Sequence, residues 1–229
     1  MKIGIVEYIN AYPFALALEK FNPTLAPPTT INQLFRDNQL DIFFGSSIES
    51  INTPYLPDFC VAAKGAIKSV NLYTKVPPTK IQSVRLDPCS ATSNALAKIL
   101  LRDHWKVDPK IVTNGGDAYI QIGDAALLSS PSPEYKVIDL ASAWYEMTAL
   151  PFVFALLMHR PGLDNREITH QIKTTLEWKE RHCDLFLEKA AKKFNLSSNF
   201  LAAYFNLCCY HLGPEEKKGL ELFVHSICP

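Results

Sequence analysis

Short apolar runs that alternate with helix-like segments are the feature that most constrains the fold of this chain. The runs are KIGIV, LDIFFGS, FCVAAKG, SVNLYTK, SVRLD, AYIQIGD, KVIDLAS and FVFALLM. Helix-like segments separate several of them, around PFALALEK, INQLFRDN and SNALAKILLRDHW. Strands that alternate with helices at short spacing predict a mostly parallel sheet that is covered on both faces. We therefore expect an α/β fold.

The pattern changes after Pro161. Apolar residues recur at helical spacing from Ile168 to Phe194, Ser197 or Ser198 can cap a second helix, and Pro214 suits the first turn of a third. The last third is therefore predicted to be helical.

Two stretches that contain proline are predicted to be the places where the chain passes from one lobe to the other. TKVPPTK covers residues 74–80 and TALPFVFA covers residues 148–155. Proline restricts its own backbone and that of the preceding residue, which favours fixed connections. The prediction is a first lobe of residues 1–75 with 152–229 and an inserted second lobe of residues 76–151. This is the topology of a hinged protein that closes on a ligand.

Composition limits the classes of partner. Lys plus Arg and Asp plus Glu number 23 each, so the formal net charge is zero and no basic stripe favours nucleic acid or an anionic membrane. No apolar run is long enough to span a bilayer, and MKIGIVEYIN lacks the basic-then-apolar layout of a secretory signal. We expect a cytoplasmic protein with a small-molecule partner. The sequence leaves its oligomeric state open.

The spacing of the cysteines and the absence of known motifs limit the kinds of catalytic site that the sequence supports. The six cysteines follow neither a metal-binding nor a disulfide spacing, and most are expected to be reduced and buried; they are Cys60, Cys89, Cys183, Cys208, Cys209 and Cys228. Cys89 lies beside Ser90 in a polar turn, so it is either a packing residue or a nucleophile activated by a helix N-terminus. Metal, nucleotide and serine hydrolase motifs are missing, and we expect no cofactor and no metal.

Four strand ends are followed by small polar residues and then a helix: VEYINAYPF, FFGSSIES, LDPCSATSNAL and IQIGDAAL. Ligands of open α/β sheets lie outside the carboxyl ends of strands, where helix N-termini offer N–H groups to anions. Ser90 can cap the third of these helices, with Thr92 and Ser93 in its first turn. Such residues also start helices without any ligand, and Asp124 is equally a cap or an acid. Together the four turns predict a carboxylate site.

These turns occur in an order that resembles one known family. VEYINAYPF, LDIFFGSSIES, GAIKSVNLYTKVP, S-A-T-S before a helix, IGDAAL, LASAWYEMTALPFVFALL and YHLGPEEKKGLELF are similar, along nearly the whole chain, to the chorismate dehydratases of the futalosine route to menaquinone. The resemblance implies a type II periplasmic-binding-protein-like fold, with two α/β lobes and a hinged ligand cleft. It also implies a cofactor-independent lyase that converts chorismate to 3-[(1-carboxyvinyl)oxy]benzoate.

The resemblance also assigns roles to residues. Asn10, in YINAYP, would act on the reacting carbons or on the leaving hydroxyl. The carboxylates of the substrate would be bound by the hydroxyl groups of Ser46, Ser47, Ser69, Ser90, Thr92 and Ser93. Asp124 would shape the cleft, while Thr148 and Phe152 would support the hinge and an apolar wall. The base stays open between a protein group and the substrate's own side-chain carboxylate.

Two positions depart from the family pattern. Many relatives have arginine in N-A-R-P and S-R-T-S, where this chain has Tyr12 and Ala91. A lost guanidinium removes a bidentate carboxylate partner, which Lys64 or Lys68 would replace unless the substrate differs. Glu7 adds negative charge nearby. The alternatives are a non-catalytic protein that binds a small carboxylate, or a lyase of the same pathway with another substrate.

Overall fold

The computed structural model describes residues 1–227, which fold as two α/β units. The first unit comprises Met1–Val61 and Ala155–Leu212, and the second comprises Ala62–Phe154 and the segment that starts at Gly213. Each unit contains one β-sheet. Within the described residues no helix is both long enough and apolar enough to cross a membrane.

The strands are β1 (Ile3–Val6), β2 (Thr24–Ala26), β3 (Ile42–Ser46), β4 (Tyr55–Ala63), β5 (Val70–Thr74), β6 (Ser83–Arg85), β7 (Lys110–Val112), β8 (Ala118–Ile122), β9 (Lys136–Asp139), β10 (Phe152–His159) and β11 (Cys209–His211). The helices are α1 (Tyr12–Ala17), α2 (Pro28–Arg36), α3 (Ala91–Ile99), α4 (Gly123–Leu127), α5 (Leu140–Thr148), α6 (Arg166–Arg181), α7 (Cys183–Phe194), α8 (Ser198–Phe205) and α9 (Pro214–Ile227). A π-helical turn, Leu100–His104, extends α3.

The sheet of the first unit has the order β11-β4-β10-β3-β1-β2. β1 pairs in parallel with both β2 and β3, and β10 runs antiparallel to β3. Every residue of β1 and β3 is buried, as expected for central strands that are covered on both faces. α2 packs against β3, α1 against α6, and α7 against α8.

The sheet of the second unit has the order β7-β6-β8-β5-β9. β6 is parallel to β7 and β8, whereas β5 is antiparallel to β8 and β9. Beside this sheet, α3 packs against α5 and α9. The rings of Trp144, Phe152 and Phe223 meet edge to face in the core of this unit, with Phe152 and Phe223 centroids 4.9 Å apart.

The α/β class predicted from the sequence is confirmed. The eight apolar runs are β1, β3, β4, β5, β6, β8, β9 and β10, and the three helix-like segments are α1, α2 and α3. The strands that were not predicted, β2, β7 and β11, have three residues each and all lie at sheet edges. Short, partly exposed edge strands carry little apolar alternation. Because of β11, the last third is not helical throughout.

The two units differ from the predicted lobes in residues 62–75, in residues 152–154 and in the segment that starts at Gly213. β5 lies between β8 and β9, so the segment from Ala62 to Thr74 belongs to the second unit. The helix α9 also belongs there rather than with the first lobe. The proline-rich stretch 74–80 is a loop of the second unit that contains the 3₁₀ turn Pro78–Lys80. The prolines of this stretch therefore lie in a turn of the second unit. A boundary between the two units falls within the other stretch, 148–155, after Phe154.

Candidate active site

Asn10 lies in a short 3₁₀ turn, Ile9–Ala11, where the chain leaves β1. The Ala11 N–H closes this turn by donating to the carbonyl oxygen of Tyr8 at 3.0 Å, and α1 begins at the next residue. Ile9 and Ala11 are buried, whereas Asn10 is half-buried. The Asn10 amide is therefore held at the carboxyl end of β1 by two anchored neighbours.

Ser46 and Ser47 lie at the carboxyl end of β3, the parallel neighbour of β1. The ends of parallel neighbours share one sheet edge, so the serines and the Asn10 turn lie at the same edge. Ser46 is 5% exposed and Ser47 is fully enclosed at 0%. The structure thus brings the three residues predicted in this unit to one edge of its sheet.

Glu49 fixes the turn that follows these serines, and the sequence argument missed it. It lies in the 3₁₀ helix Ser47–Ile51, and its Oε1 accepts hydrogen bonds from Arg36 Nη1 at 2.8 Å and from Asn32 Nδ2 at 3.1 Å. Both donors lie on one face of α2, four residues apart. The four-residue spacing of Asn32 and Arg36 was the available signal, because it puts two hydrogen-bond donors on one helix face, where a carboxylate can bind. We interpret Glu49 as a residue that positions Ser47.

In the second unit, four chain segments meet at one edge of the sheet. β5 begins directly after Ser69 and runs antiparallel to β8 and β9, so its start lies beside their carboxyl ends. The Gly123 N–H donates to the Ser69 carbonyl at 2.8 Å, and Asp124 is the next residue, in the first turn of α4. β6 is parallel to β8, so the loop from β6 to Ser90 starts at this edge as well. Ser69, Asp124 and the start of the loop that leads to Ser90 therefore lie at one edge of this sheet.

Ser90 caps the N-terminus of α3. Its Oγ accepts the Ser93 N–H at 3.1 Å and lies 2.8 Å from Ser93 Oγ, to which it donates. Ser90, Thr92 and Ser93 are at most 5% exposed. An anion at this end would meet hydroxyl groups and the positive end of a helix dipole. The observed geometry is that of a helix cap.

Asp87 ties the loop before α3 to β8. Its Oδ2 accepts the Ile122 N–H at 3.2 Å and its Oδ1 accepts the Cys89 N–H at 2.8 Å. The Asn94 side chain binds the backbone of Asp87 on both sides, at 3.0 and 2.7 Å. Burial raises the pKa of Asp87, although these backbone hydrogen bonds act to lower it. The sequence argument missed Asp87, although an Asp-Pro between a strand and a cap was a signal for such a turn.

Thr148 and Phe152 lie away from this edge. The edge carries Asp139, the N-cap of α5, whereas Thr148 is the last residue of that helix. The Thr148 hydroxyl donates to the Trp144 carbonyl at 2.8 Å and accepts the Leu150 N–H at 3.1 Å. Phe152 is fully buried in the aromatic core. The structure therefore does not bring Thr148 or Phe152 to the edge where Ser69 and Asp124 lie.

Tyr12, which the sequence comparison with the family pattern singled out as a departure, packs against α7. Its ring lies 5.5 Å from that of Phe186 and 5.3 Å, edge to face, from that of Phe194. Tyr12 is only 7% exposed. Burial, and then the nearby charge of Glu19, raise the pKa of the phenol, so it stays neutral. Tyr12 is a packing residue of the first unit and supplies no positive charge.

We expect Tyr12→Ala to lower the free energy of unfolding by about 3 kcal/mol, because it removes a buried ring from two aromatic neighbours. Tyr12→Arg should also destabilise, since this position offers a guanidinium little access to water. Tyr12→Phe is the matched control and should change stability by less than about 1 kcal/mol. Urea denaturation of the three variants measures these differences. A Tyr12→Arg protein as stable as the wild type would contradict the enclosed position of this ring.

Cys89 does not have the environment of a nucleophile. Burial, and then the charge of Asp87, raise the pKa of its thiol, which lowers its thiolate fraction at neutral pH. We expect iodoacetamide to alkylate half-buried Cys89 more slowly at pH 7 than exposed Cys183, as measured by peptide mass spectrometry. The Cys89 rate should rise as the pH approaches its raised pKa. Faster labelling of Cys89 than of Cys183 at pH 7 would contradict this assignment. Cys228 lies outside the described residues.

A groove of about 610 Å³ in the first unit lies away from the serines. It runs between α1, the start of β2 and α7, and Tyr12, Leu16, Leu25, Lys189 and Lys193 contribute to its lining. None of the residues assigned to substrate lines it. Among residues 1–227, no group of three or more His, Cys, Asp or Glu side chains is placed to hold a metal ion.

Solved structures that resemble this chain define its fold class. A protein of Archaeoglobus fulgidus matches with a TM-score of 0.76 and 13% identity, covering 98% of this chain and 95% of that one. The alkanesulfonate-binding protein of Xanthomonas axonopodis pv. citri, solved with MOPS, matches with a TM-score of 0.65 and 11% identity, covering 100% and 94%. At such identities the likeness concerns the fold alone. This chain has the periplasmic-binding-protein-like α/β fold.

The chain belongs to the menaquinone biosynthesis family, whose model matches residues 1–227. A chorismate dehydratase of Campylobacter jejuni is 30% identical, over 99% of this chain and 97% of the relative. A chorismate dehydratase of Thermus thermophilus is 28% identical, over 98% of this chain and 94% of the relative. The family predicted from the order of the sequence motifs is confirmed.

Proposed function

We propose that this protein is a chorismate dehydratase, a lyase that removes water from chorismate and releases 3-[(1-carboxyvinyl)oxy]benzoate in the futalosine route to menaquinone. The observation that carries the proposal is the similarity over nearly the full chain, at 28% and 30% identity, to two proteins of that name. A location in the cytoplasm is part of the proposal.

The proposed reaction requires orientation and charge stabilisation. A proton leaves a carbon that is vinylogous to the ring carboxylate, hydroxide leaves the neighbouring carbon, and the remaining electrons complete an aromatic ring. Chorismate therefore equals product plus water, with no net oxidation or reduction. The protein has to orient the substrate, exclude solvent and donate hydrogen bonds where negative charge develops. Hydroxyl groups and helix N-termini can do this, and no cofactor is included in the proposal.

We assign Asn10 the hydrogen bond to the departing hydroxyl group. An amide can donate and accept hydrogen bonds, but it is a poor base. The proton is therefore assigned to the side-chain carboxylate of the substrate itself, which would act as an intramolecular base.

The hydroxyl groups are assigned to the carboxylates of the substrate. These residues are Ser46 and Ser47 in the first unit and Ser69, Ser90, Thr92 and Ser93 in the second. Asp124 would shape the edge beside Ser69 from the first turn of α4. Thr148 and Phe152 are assigned a supporting role, because a helix end and an aromatic core account for their contacts.

The experiment is to incubate the purified protein with chorismate and to follow substrate and products by chromatography with mass detection. A new aromatic product that has lost one water would support the dehydratase. A folded protein that yields no such product would overturn it.

A second candidate is a non-catalytic protein that binds a small carboxylate. The enclosed packing of Tyr12 favours it, because neither Tyr12 nor Ala91 supplies a guanidinium. This candidate predicts that chorismate raises the melting temperature without being consumed. A lyase with another substrate of the same pathway would show neither stabilisation nor turnover with chorismate.

A further inference from the structure

We propose that Lys68 supplies the positive charge that binds a carboxylate of the substrate in the second unit. The place is the edge of the sheet where Ser69 and Asp124 lie, called the serine edge below. This inference rests on the proposed function, which gives the protein an anionic substrate. It concerns a residue directly before Ser69, in the turn that leads into β5.

The backbone of Lys68 has a conformation that a lysine rarely adopts. Its φ is +64°, in the left-handed region that non-glycine residues avoid at a cost of about 1 kcal/mol or more. Glycine is the usual residue for such a turn, and it occurs three positions earlier, at Gly65, with φ of +90°. The left-handed conformation therefore defines the backbone of the turn directly before Ser69.

Two polar side chains, half-buried Asp139 and buried Asn71, hold the Lys68 backbone. Asp139 Oδ2 accepts the N–H groups of Ile67 at 2.9 Å and of Lys68 at 2.6 Å. On the other side, Asn71 Nδ2 donates to the Lys68 carbonyl at 2.9 Å, and Asn71 is only 5% exposed. Held on both sides, the turn gives the base of the Lys68 side chain a fixed place beside Ser69.

Two other cations near this edge, Lys64 and Arg85, are already engaged. Lys64 Nζ pairs with Glu215 at 2.9 Å. The Arg85 guanidinium lies over the ring of Tyr119, 5.0 Å from its centroid. Lys68 is exposed, and within residues 1–227 it has no carboxylate within ion-pair distance. Of the two lysines named from the sequence as replacements for arginine, Lys68 is therefore the one available to a ligand.

The charges of this edge show why a cation is needed. Asp87, Asp124 and Asp139 lie at the edge, and such carboxylates would oppose the approach of an anion. Asp139 is already used by the backbone, because Oδ2 accepts the N–H groups of Ile67 and Lys68 and Oδ1 accepts the Ser142 N–H at 2.9 Å. Hydroxyl groups bind a carboxylate but do not offset its charge. Lys68 would do so.

The test compares Lys68→Gln, Lys68→Gly and Lys68→Arg with the control Lys64→Gln. Calorimetry with chorismate and with benzoate gives Kd, and steady-state kinetics with chorismate gives KM and kcat. We expect Lys68→Gln and Lys68→Gly to raise Kd and KM about 10-fold and to change kcat little, because the lost contact is with a carboxylate that is bound throughout. Lys68→Arg and Lys64→Gln should stay within about 3-fold of the wild type.

The Lys68→Gly variant separates the effect of the lysine charge from the effect of the backbone conformation of the turn. If only the turn mattered, Lys68→Gly would bind as well as the wild type or better, because glycine relieves the strain, and that result would overturn the proposal. The salt dependence of binding is a second test. Raising the ionic strength should weaken binding to the wild type more than binding to Lys68→Gln. Equal salt dependence would also overturn it. If the wild type binds either ligand but forms no product, the dehydratase fails while Kd still tests Lys68; if it binds neither ligand, both proposals fail.

Discussion

Asn10→Ala is expected to lower kcat for chorismate by about 10²- to 10³-fold while KM changes little. The reason is that a hydrogen bond to the departing hydroxyl strengthens as the C–O bond breaks, so its loss is felt in the transition state more than in binding. Steady-state kinetics with detection of the dehydrated product measures both constants. This is the largest effect on activity that we expect from a single side chain.

The control for this variant is Asn206→Ala in the same unit. Asn206 is exposed at the C-terminal end of α8, and it should leave kcat and KM at wild-type values. Thermal unfolding of both variants shows whether the 3₁₀ turn Ile9–Ala11 survives. Equal losses in kcat/KM and in chorismate affinity would instead make Asn10 a binding residue, and unchanged kinetics would remove it from the site.

The fold was predictable because long, buried elements carry strong patterns. β10 and β3 read as continuous apolar runs since both faces of their sheet are covered. The edge strands of the two sheets were less predictable. β2, β7 and β11 form because they pair with a neighbouring strand, and their own sequences carry little strand pattern. The assignment of β5 also depended on pairing, since only its register with β8 and β9 places it in the second sheet.

The local structure of the candidate site was predictable where a side chain also follows a known capping pattern. Ser90 is both a typical helix cap and a typical anion ligand, so its place could be read from S-A-T-S. Glu49, Asp87 and Asp139 were missed because their partners are backbone N–H groups or residues 13 to 72 positions away along the chain. Such partners become neighbours only in the folded sheet. The conformation of Lys68 could not be anticipated either, because lysine is not a residue that marks a left-handed turn.

Gly219→Ala is expected to lower the free energy of unfolding by about 3 kcal/mol, the largest effect on stability from a single methyl group. Gly219 is buried on α9, and a Cβ atom there would lie 2.0 Å from the carbonyl oxygen of Pro151. A backbone carbonyl cannot rotate away as a side chain can, so α9 or the segment before β10 has to move. Phe223 follows one turn later on α9, with its ring 4.9 Å from that of Phe152, so the displacement should also loosen the aromatic core.

The sign of the change in the free energy of unfolding shows whether close packing or helix propensity dominates at Gly219. In an exposed helix, replacing glycine with alanine stabilises by about 1 kcal/mol, because alanine restricts the unfolded chain and favours helical backbone. A stabilised Gly219→Ala protein would therefore show that α9 does not rest on Pro151. Lys218→Ala is the matched control on the same helix: it is exposed and should change the midpoint of urea unfolding very little. If the glycine variant alone is destabilised, the C-terminal helix is part of the second unit's core, as its place beside Pro151 requires.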